Sequence, residues 1–252
     1  MPSDQLLIDV RLERERVSSF DEYPFALGVI QHLHEIRLHP GVTFLIGENG
    51  SGKSTLLEAI AVAWGLNAEG GSRSHRFDTR RSHSILHEYL RLSRGVRRAR
   101  DAYFLRAESY FNVATEIERL DEDDSPAARI GPAYGPRALH EQSHGESFLS
   151  LLINRFRPNG LYLLDEPEAA LSPNRQMAAM SRIYDLVLQG SQFIIATHSP
   201  ILMAFPDALI YQLDEDGIAE VKYTDTEHYV ITKSFLNDHE RMLSILLSND
   251  RQ

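Results

Sequence analysis

The most constraining stretch of this 252-residue chain is Gly47-Glu48-Asn49-Gly50-Ser51-Gly52-Lys53-Ser54. It lies between an apolar run, Val42 to Ile46, and a helix-forming run, Lys53 to Leu66. The octapeptide fits G-x-x-x-x-G-K-[ST] in the strand-to-helix setting that this pattern requires. Its glycines allow successive backbone N–H groups to point inward around phosphate oxygens, where side chains would obstruct them. A helix starting at the loop turns its positive end on the same anion. Lys53 supplies a mobile charge for β- and γ-phosphates, and Ser54 a hydroxyl for Mg²⁺. Only three of the 26 basic residues are lysine, which makes a lysine at this position more informative.

Further along, Leu161-Tyr162-Leu163-Leu164-Asp165-Glu166 reads as a buried strand with two carboxylates at its carboxyl end, where ligands sit in parallel sheets. Asp165 can hold a hydrated Mg²⁺, and Glu166 can orient or deprotonate an attacking water. Around these motifs strand and helix patterns alternate. Strands are expected over Gln5 to Glu15, Val42 to Ile46, Ala102 to Ala107, Leu161 to Leu164 and Gln192 to Thr197. Helices are expected over Lys53 to Leu66, Ser84 to Leu92, Tyr110 to Leu120, Glu146 to Arg157, Pro173 to Leu188 and Glu227 to Leu247. Asp121 to Pro136 reads as a turn-rich loop, and Ala208 to Tyr223, centred on Asp214 to Gly217, as a hairpin. The alternation predicts an α/β chain with a largely parallel sheet.

Gly47 to Ser54, Gln142-Ser143-His144-Gly145-Glu146, Leu161 to Pro167, Ala169-Ala170-Leu171-Ser172-Pro173 and Thr197-His198-Ser199 follow one another in the motif order of ABC-type ATPases. The chain resembles that family over Val42 to Pro200, in the stand-alone bacterial form grouped with AAA-family ATPases. Gln142 replaces the signature leucine, His144 replaces its first glycine, and Glu108 stands near the place of the Q-loop glutamine. The resemblance implies a P-loop fold with a mostly parallel core and an antiparallel β part. It also implies a helical signature subdomain over about 110–158 within a single domain, 1–252. ATP and Mg²⁺ are the implied cofactors. Gly47, Glu48, Asn49, Gly50, Ser51, Gly52, Lys53, Ser54 and Thr55 would bind the nucleotide, with Tyr23, Phe20 or Phe25 available to stack on adenine. Lys53, Glu166 and His198 would be catalytic, and Ser54, Asp165 and Glu108 would hold the metal. Ser143, His144, Gly145 and Glu146 would meet the ATP of a second copy, which implies a dimer closing on nucleotide.

Charge and composition bound the partners. The net charge is −10, yet Ser72 to Arg106 holds ten arginines against Asp78, Glu88 and Asp101. A run of this kind is a solvated face or a dock for an acidic partner such as DNA, here across Arg73 to Arg106. The absence of cysteine removes disulfides, thiol nucleophiles and Cys-ligated metal, and a cytoplasmic setting is the expectation. No membrane span or signal peptide is read. The expected activity is Mg-dependent ATP hydrolysis acting on DNA, a protein or a defence module. The alternatives are a transporter ATPase subunit and a binding module with little turnover. A zinc hydrolase built on His140-Glu141-Gln142-Ser143-His144 is disfavoured, because Gly145 and the preceding glycine–proline loop interrupt the helix that such a site needs. No N-K-x-D guanine motif is present.

Overall fold

The computed structural model describes residues 5–68, 70–71, 84–106 and 144–248. In chain order the elements are β1 (Leu7–Leu12), α1 (Gly28–Gln31), β2 (Glu35–Arg37), β3 (Val42–Ile46), α2 (Lys53–Trp64), β4 (Leu90–Arg94) and β5 (Asp101–Arg106). Then come α3 (His144–Ser150), β6 (Gly160–Asp165), α4 (Pro173–Leu188), β7 (Gln192–Ala196), α5 (Pro200–Met203), β8 (Leu209–Asp214), β9 (Gly217–Glu220), α6 (Glu227–Asn237) and α7 (His239–Ser248). Six strands form the main sheet in the order β5-β6-β7-β3-β8-β9. Its pairs are parallel except for the closing hairpin of β8 and β9. A separate antiparallel sheet runs β2-β1-β4.

The central strands are apolar throughout because both faces of the main sheet are covered. Leu45, Leu161, Leu163, Ile194 and Ala196 face a core shared with α2 and the small sheet. Their neighbours Phe44, Tyr162, Leu164, Phe193 and Ile195 face a second core that includes Phe148, Ile183 and Leu186. The period-2 alternation thus divides one hydrophobic run between two cores. Gln192, at the start of β7, ties the sheets together. Its Nε2 donates to Leu7 O (2.7 Å) and His39 O (2.9 Å), and its Oε1 accepts from Leu6 N (3.1 Å) and Leu7 N (2.9 Å).

Several elements differ from the sequence expectation. Ser84 to Leu92 is a 3₁₀ turn, Ile85–Tyr89, with the Ser84 hydroxyl capping Leu86 N, and it runs directly into β4. The helix expected over Glu146 to Arg157 begins at His144 and ends in a π turn, Leu151–Arg155. The helix expected over Glu227 to Leu247 is broken at Asp238, whose φ of −148° and ψ of 59° leave the helical region. The expected helix over Tyr110 to Leu120 and the loop Asp121 to Pro136 lie outside the described residues.

Candidate active site

The loop after β3 takes its shape from positions that only glycine fills. Gly47 has φ +147°, and a Cβ there would lie 2.2 Å from Leu213 O. Gly52, at φ +94°, would drive a Cβ to 2.6 Å from a Val29 methyl. At Gly50 (φ +84°) nothing lies within 4 Å of that position, so the loop's rim is open there. Lys53 then begins α2. Its buried Nζ donates to Gly47 O (2.9 Å) and Glu48 O (2.8 Å). Burial pushes this ammonium below the ordinary lysine value, while Glu166 and Asp165 draw it back up.

Parallel pairing sets the carboxyl end of β6 beside α2. Ser54 Oγ donates to Asp165 Oδ1 at 2.9 Å, joining residues 111 positions apart. Arg106, the last residue of β5, lies 3.6 Å from Asp165 Oδ2 and donates to Glu58 Oε2 at 2.8 Å. Arg106 therefore neutralises an acid cluster and is no part of an exposed basic face.

Glu166 follows at φ +49°, ψ 52°, a left-handed conformation that costs a non-glycine residue roughly 1–2 kcal/mol. Its N–H donates to Ala196 O (2.9 Å), and its carboxylate lies 3.6 Å from His198 Nε2. Two positions on, Glu168 folds back under this site. Its carboxylate accepts from Thr197 Oγ1 (2.7 Å) and His198 N (2.5 Å). Burial raises the Glu168 carboxyl above the ordinary glutamate value, opposed by those two donors. Burial and the charge on Lys53 hold the His198 imidazole below its ordinary value, so it is neutral near pH 7.

Two cavities flank the glycine-rich loop. One of about 500 Å³ is lined by Tyr23, Leu27, Asn49, Gly50, Gly52 to Thr55 and Glu166. The other, about 380 Å³, lies between Gly47 to Ser51, the tip of the β8–β9 hairpin, Glu227 and His228. Among the three candidate aromatics, Tyr23 stands on the first cavity, 66% exposed, its hydroxyl 3.3 Å from Thr55 Oγ1. Phe25 is buried edge-on against Tyr89, and Phe20 lies under the Arg14 guanidinium. The residues fit a polyphosphate and its cation. Ser51 Oγ is buried in the loop with no hydrogen-bond partner, and Ser54 and Asp165 place two oxygen donors together.

The signature segment is described only from His144 onward, and Ser143, Gln142 and the His140 to Ser143 part of the zinc-like motif lie outside the described residues, as does Glu108. Gly145 sits where a Cβ would meet Ala170 O and Arg175 Nη1, each at 2.6 Å, and Glu146 pairs with Arg175 at 3.2 Å. Neither residue lines the cavities beside the loop. Among the described residues no group of histidines and carboxylates could hold a metal by itself. Of the basic run, Arg97 is consumed by Asn159 and Gly190 O, and Arg94 covers the Trp64 ring. Arg91, Arg98 and Arg100 are exposed, as is Arg94 above the Trp64 ring. Sequence reasoning missed Glu168 and His228. The first stands in plain view in Asp165-Glu166-Pro167-Glu168, whereas the second has no motif around it.

Residues 78–204 match the family described as "AAA domain, putative AbiEii toxin, Type IV TA system", and residues 23–125 match a second AAA-domain family. An uncharacterized ABC transporter ATP-binding protein of Haemophilus influenzae is 23% identical over 80% of this chain and 82% of its own length. The macrolide export ATP-binding/permease protein MacB of Marinobacter nauticus is 27% identical over 72% of this chain, which spans only 30% of that protein. Among solved structures, "An inward-facing conformation of a putative metal-chelate type ABC transporter" shares the fold with a TM-score of 0.53 at 17% identity, covering 91% of this chain and 88% of the other. No helix among the described residues is long and apolar enough to cross a membrane. With its glycine-rich loop, its Asp165–Glu166 strand end and a family match across half its length, the chain belongs to the AAA-domain family first named and is a P-loop ATPase of the ABC type.

Proposed function

We propose that the cavity between Tyr23 and Glu166 binds Mg-ATP, and that Glu166 prepares the water that attacks the terminal phosphate. The observation that carries this reading is the convergence of three separate segments: Lys53, Ser54 and Glu166 line one open cavity, with Asp165 bonded to Ser54 and His198 set against Glu166. Tyr23 offers its exposed ring to the base. The loop amides and Lys53 bind the phosphates once Nζ exchanges the carbonyls of Gly47 and Glu48 for phosphate oxygens. Ser54 and Asp165 would hold Mg²⁺, which would supply neutralisation of the phosphate charge. Glu166 takes the proton from water as the oxygen attacks phosphorus and the β–γ bridge breaks. Neutral His198 donates a hydrogen bond to the transferring phosphoryl group and steadies Glu166.

A second copy would complete the site. Gly145 and Glu146 stand apart from this chain's own phosphate loop, and the resemblance assigns their segment to the nucleotide of a partner subunit. Closure and reopening would then act on a further partner, with Arg91, Arg98 and Arg100 offering a small positive face toward DNA or an acidic protein. A membrane-transporter subunit is the second reading, favoured by the name of the Haemophilus influenzae relative.

The test is binding and turnover in parallel. Lys53→Ala should weaken ATP binding by about 10- to 100-fold, because a charge-assisted contact of about 1.5–3 kcal/mol is lost. Glu166→Gln should keep ATP affinity while hydrolysis falls by roughly 100-fold or more. Unchanged affinity in the first variant, or full turnover in the second, overturns the assignment.

A further inference from the structure

His198 has a second imidazole behind it. His228, in the first turn of α6, brings Nε2 to 3.1 Å from His198 Nδ1, the rings 5.3 Å apart and tilted by 53°. On the far side His198 Nε2 makes no hydrogen bond, and Glu166 Oε1 lies 3.6 Å away. The start of α6 is itself fixed. The fully buried Thr226 accepts from Tyr229 N (3.3 Å) and donates to Tyr223 O (2.8 Å), and Tyr223 donates to Pro200 O (2.9 Å) two residues after His198. His228 is therefore anchored to the loop that carries its partner. By contrast, α6 and α7 bury no residue, so packing alone gives no reason for an imidazole at this position.

A neutral imidazole carries one proton, and two neutral rings meeting nitrogen to nitrogen can share only one. If His228 Nε2 is the donor, His198 Nδ1 must be the acceptor, and the only proton of His198 then sits on Nε2. That nitrogen faces Glu166, whose carboxylate oxygen at 3.6 Å is an anionic acceptor. In the opposite tautomer a bare lone pair would confront a carboxylate or a phosphate oxygen. We infer that His228 is a positioning residue for ATP hydrolysis: it donates to His198 Nδ1 and holds His198 as the Nε2–H tautomer, its N–H turned toward the reacting phosphate. The inference rests on the nucleotide reading above for its catalytic consequence, though the tautomer itself does not.

The surroundings agree with two neutral rings. Lys53, Glu166 and Glu48 face His198, while Lys53, Glu227 and Glu168 face His228. Burial keeps both rings below the ordinary histidine value, and the Lys53 charge acts in the same direction.

The experiment compares His228→Phe, His228→Gln and wild type, with ¹⁵N histidine spectra and Mg-ATP kinetics on the full chain. Phenylalanine keeps a ring and removes the donor, whereas the glutamine amide can replace the Nε2–H. The expected spectra show His198 as the Nε2–H form in wild type and His228→Gln, and as a tautomer mixture in His228→Phe. In kinetics, His228→Phe should lower kcat by about 10- to 100-fold with KM within about two-fold, and His228→Gln should recover most of it. In a His198→Ala background, His228→Phe should cost less than about two-fold more. A His198 tautomer indifferent to His228 overturns the inference, as does a kcat loss that persists undiminished without His198. If wild type fails to hydrolyse ATP, the nucleotide reading has failed, and the spectra alone decide whether His228 sets the tautomer.

Discussion

Glu168 shows how a site residue can act without facing the cavity. Its buried carboxylate gathers the Thr197 hydroxyl and the His198 N–H, joining the turn after Asp165-Glu166 to the loop after β7. Thr197 also receives Ser199 N (3.0 Å), and Ser199 donates to Gln176 (2.5 Å), so the whole Thr197-His198-Ser199 loop is fastened from beneath. Removing the carboxylate strands two buried donors, each at a cost of about 1–3 kcal/mol. Glu168→Ala should therefore destabilise the protein by about 2–4 kcal/mol in urea unfolding, with loss of turnover at protein concentrations where the fold persists. Glu168→Gln keeps one acceptor oxygen and should lose roughly half as much; equal stability of all three proteins would show that the loop is held by other contacts. At this scale the sequence is legible where a motif sets the placement, as with Lys53, Ser54 and Asp165, which the fold brings together. It is silent where a side chain acts by folding back. Nothing in the spacing of Glu168 or His228 says that each reaches His198, because that contact is made by the turn at Glu166 and by the anchoring of α6.

Elements were legible in proportion to how completely they are buried. β3 and α4 fall on the ranges expected from their patterns, since a strand covered on both faces writes an unbroken apolar run and an amphipathic helix writes a 3.6-residue stripe. β4 is different. Its sequence Leu-Arg-Leu-Ser-Arg lies at an edge of the small sheet, half exposed, and its arginines conceal the alternation. β2 has only three residues and no period to read. The break at Asp238 was readable in principle, because its Oδ1 accepts from Arg241 N (3.4 Å) in the manner of a cap opening α7. The two sheets are joined at one element end by Gln192, which satisfies four backbone groups, three of them buried at Leu6 and Leu7 at the start of β1 and one at His39 in the β2–β3 connection. Gln192→Ala should cost about 3–5 kcal/mol by stranding those groups as well as opening a cavity. Gln192→Met refills the volume and should recover little, if the hydrogen bonds dominate. A methionine variant as stable as wild type in urea unfolding would instead assign the cost to packing.

The whole molecule poses a question of closure. The fold class was accessible from sequence because alternating strands and helices around a glycine-rich loop admit few topologies. The charge surface was not: Arg97 and Arg106 belong to the interior economy of the fold, and a linear count of arginines cannot separate them from Arg91, Arg98 and Arg100. Within one chain Lys53 and the Nε2 of His198 are buried, while the rest of the site is partly open to water. The Glu166 side chain is 39% exposed, His198 is 28% exposed, and the cavity beside Lys53 opens outward. Phosphoryl transfer gains from exclusion of bulk water and from donors fixed around the phosphate, and on the proposed reading a second copy would supply part of that surround. Gly145 lies close against Ala170 and Arg175, Glu146 pairs with Arg175, and neither residue lines the cavities beside the phosphate loop. The proposed dimer, in which a second copy brings this segment over the first copy's ATP, would account for both observations. The expected outcome is a specific Mg-ATPase rate that rises with protein concentration and then saturates, with sedimentation showing ATP-dependent dimers over the same range. Glu166→Gln, expected to hold ATP while hydrolysing it slowly, should shift that transition to lower protein concentration. A specific rate independent of concentration, with the protein monomeric throughout, would mean that one chain completes its own site and that the signature segment serves another contact.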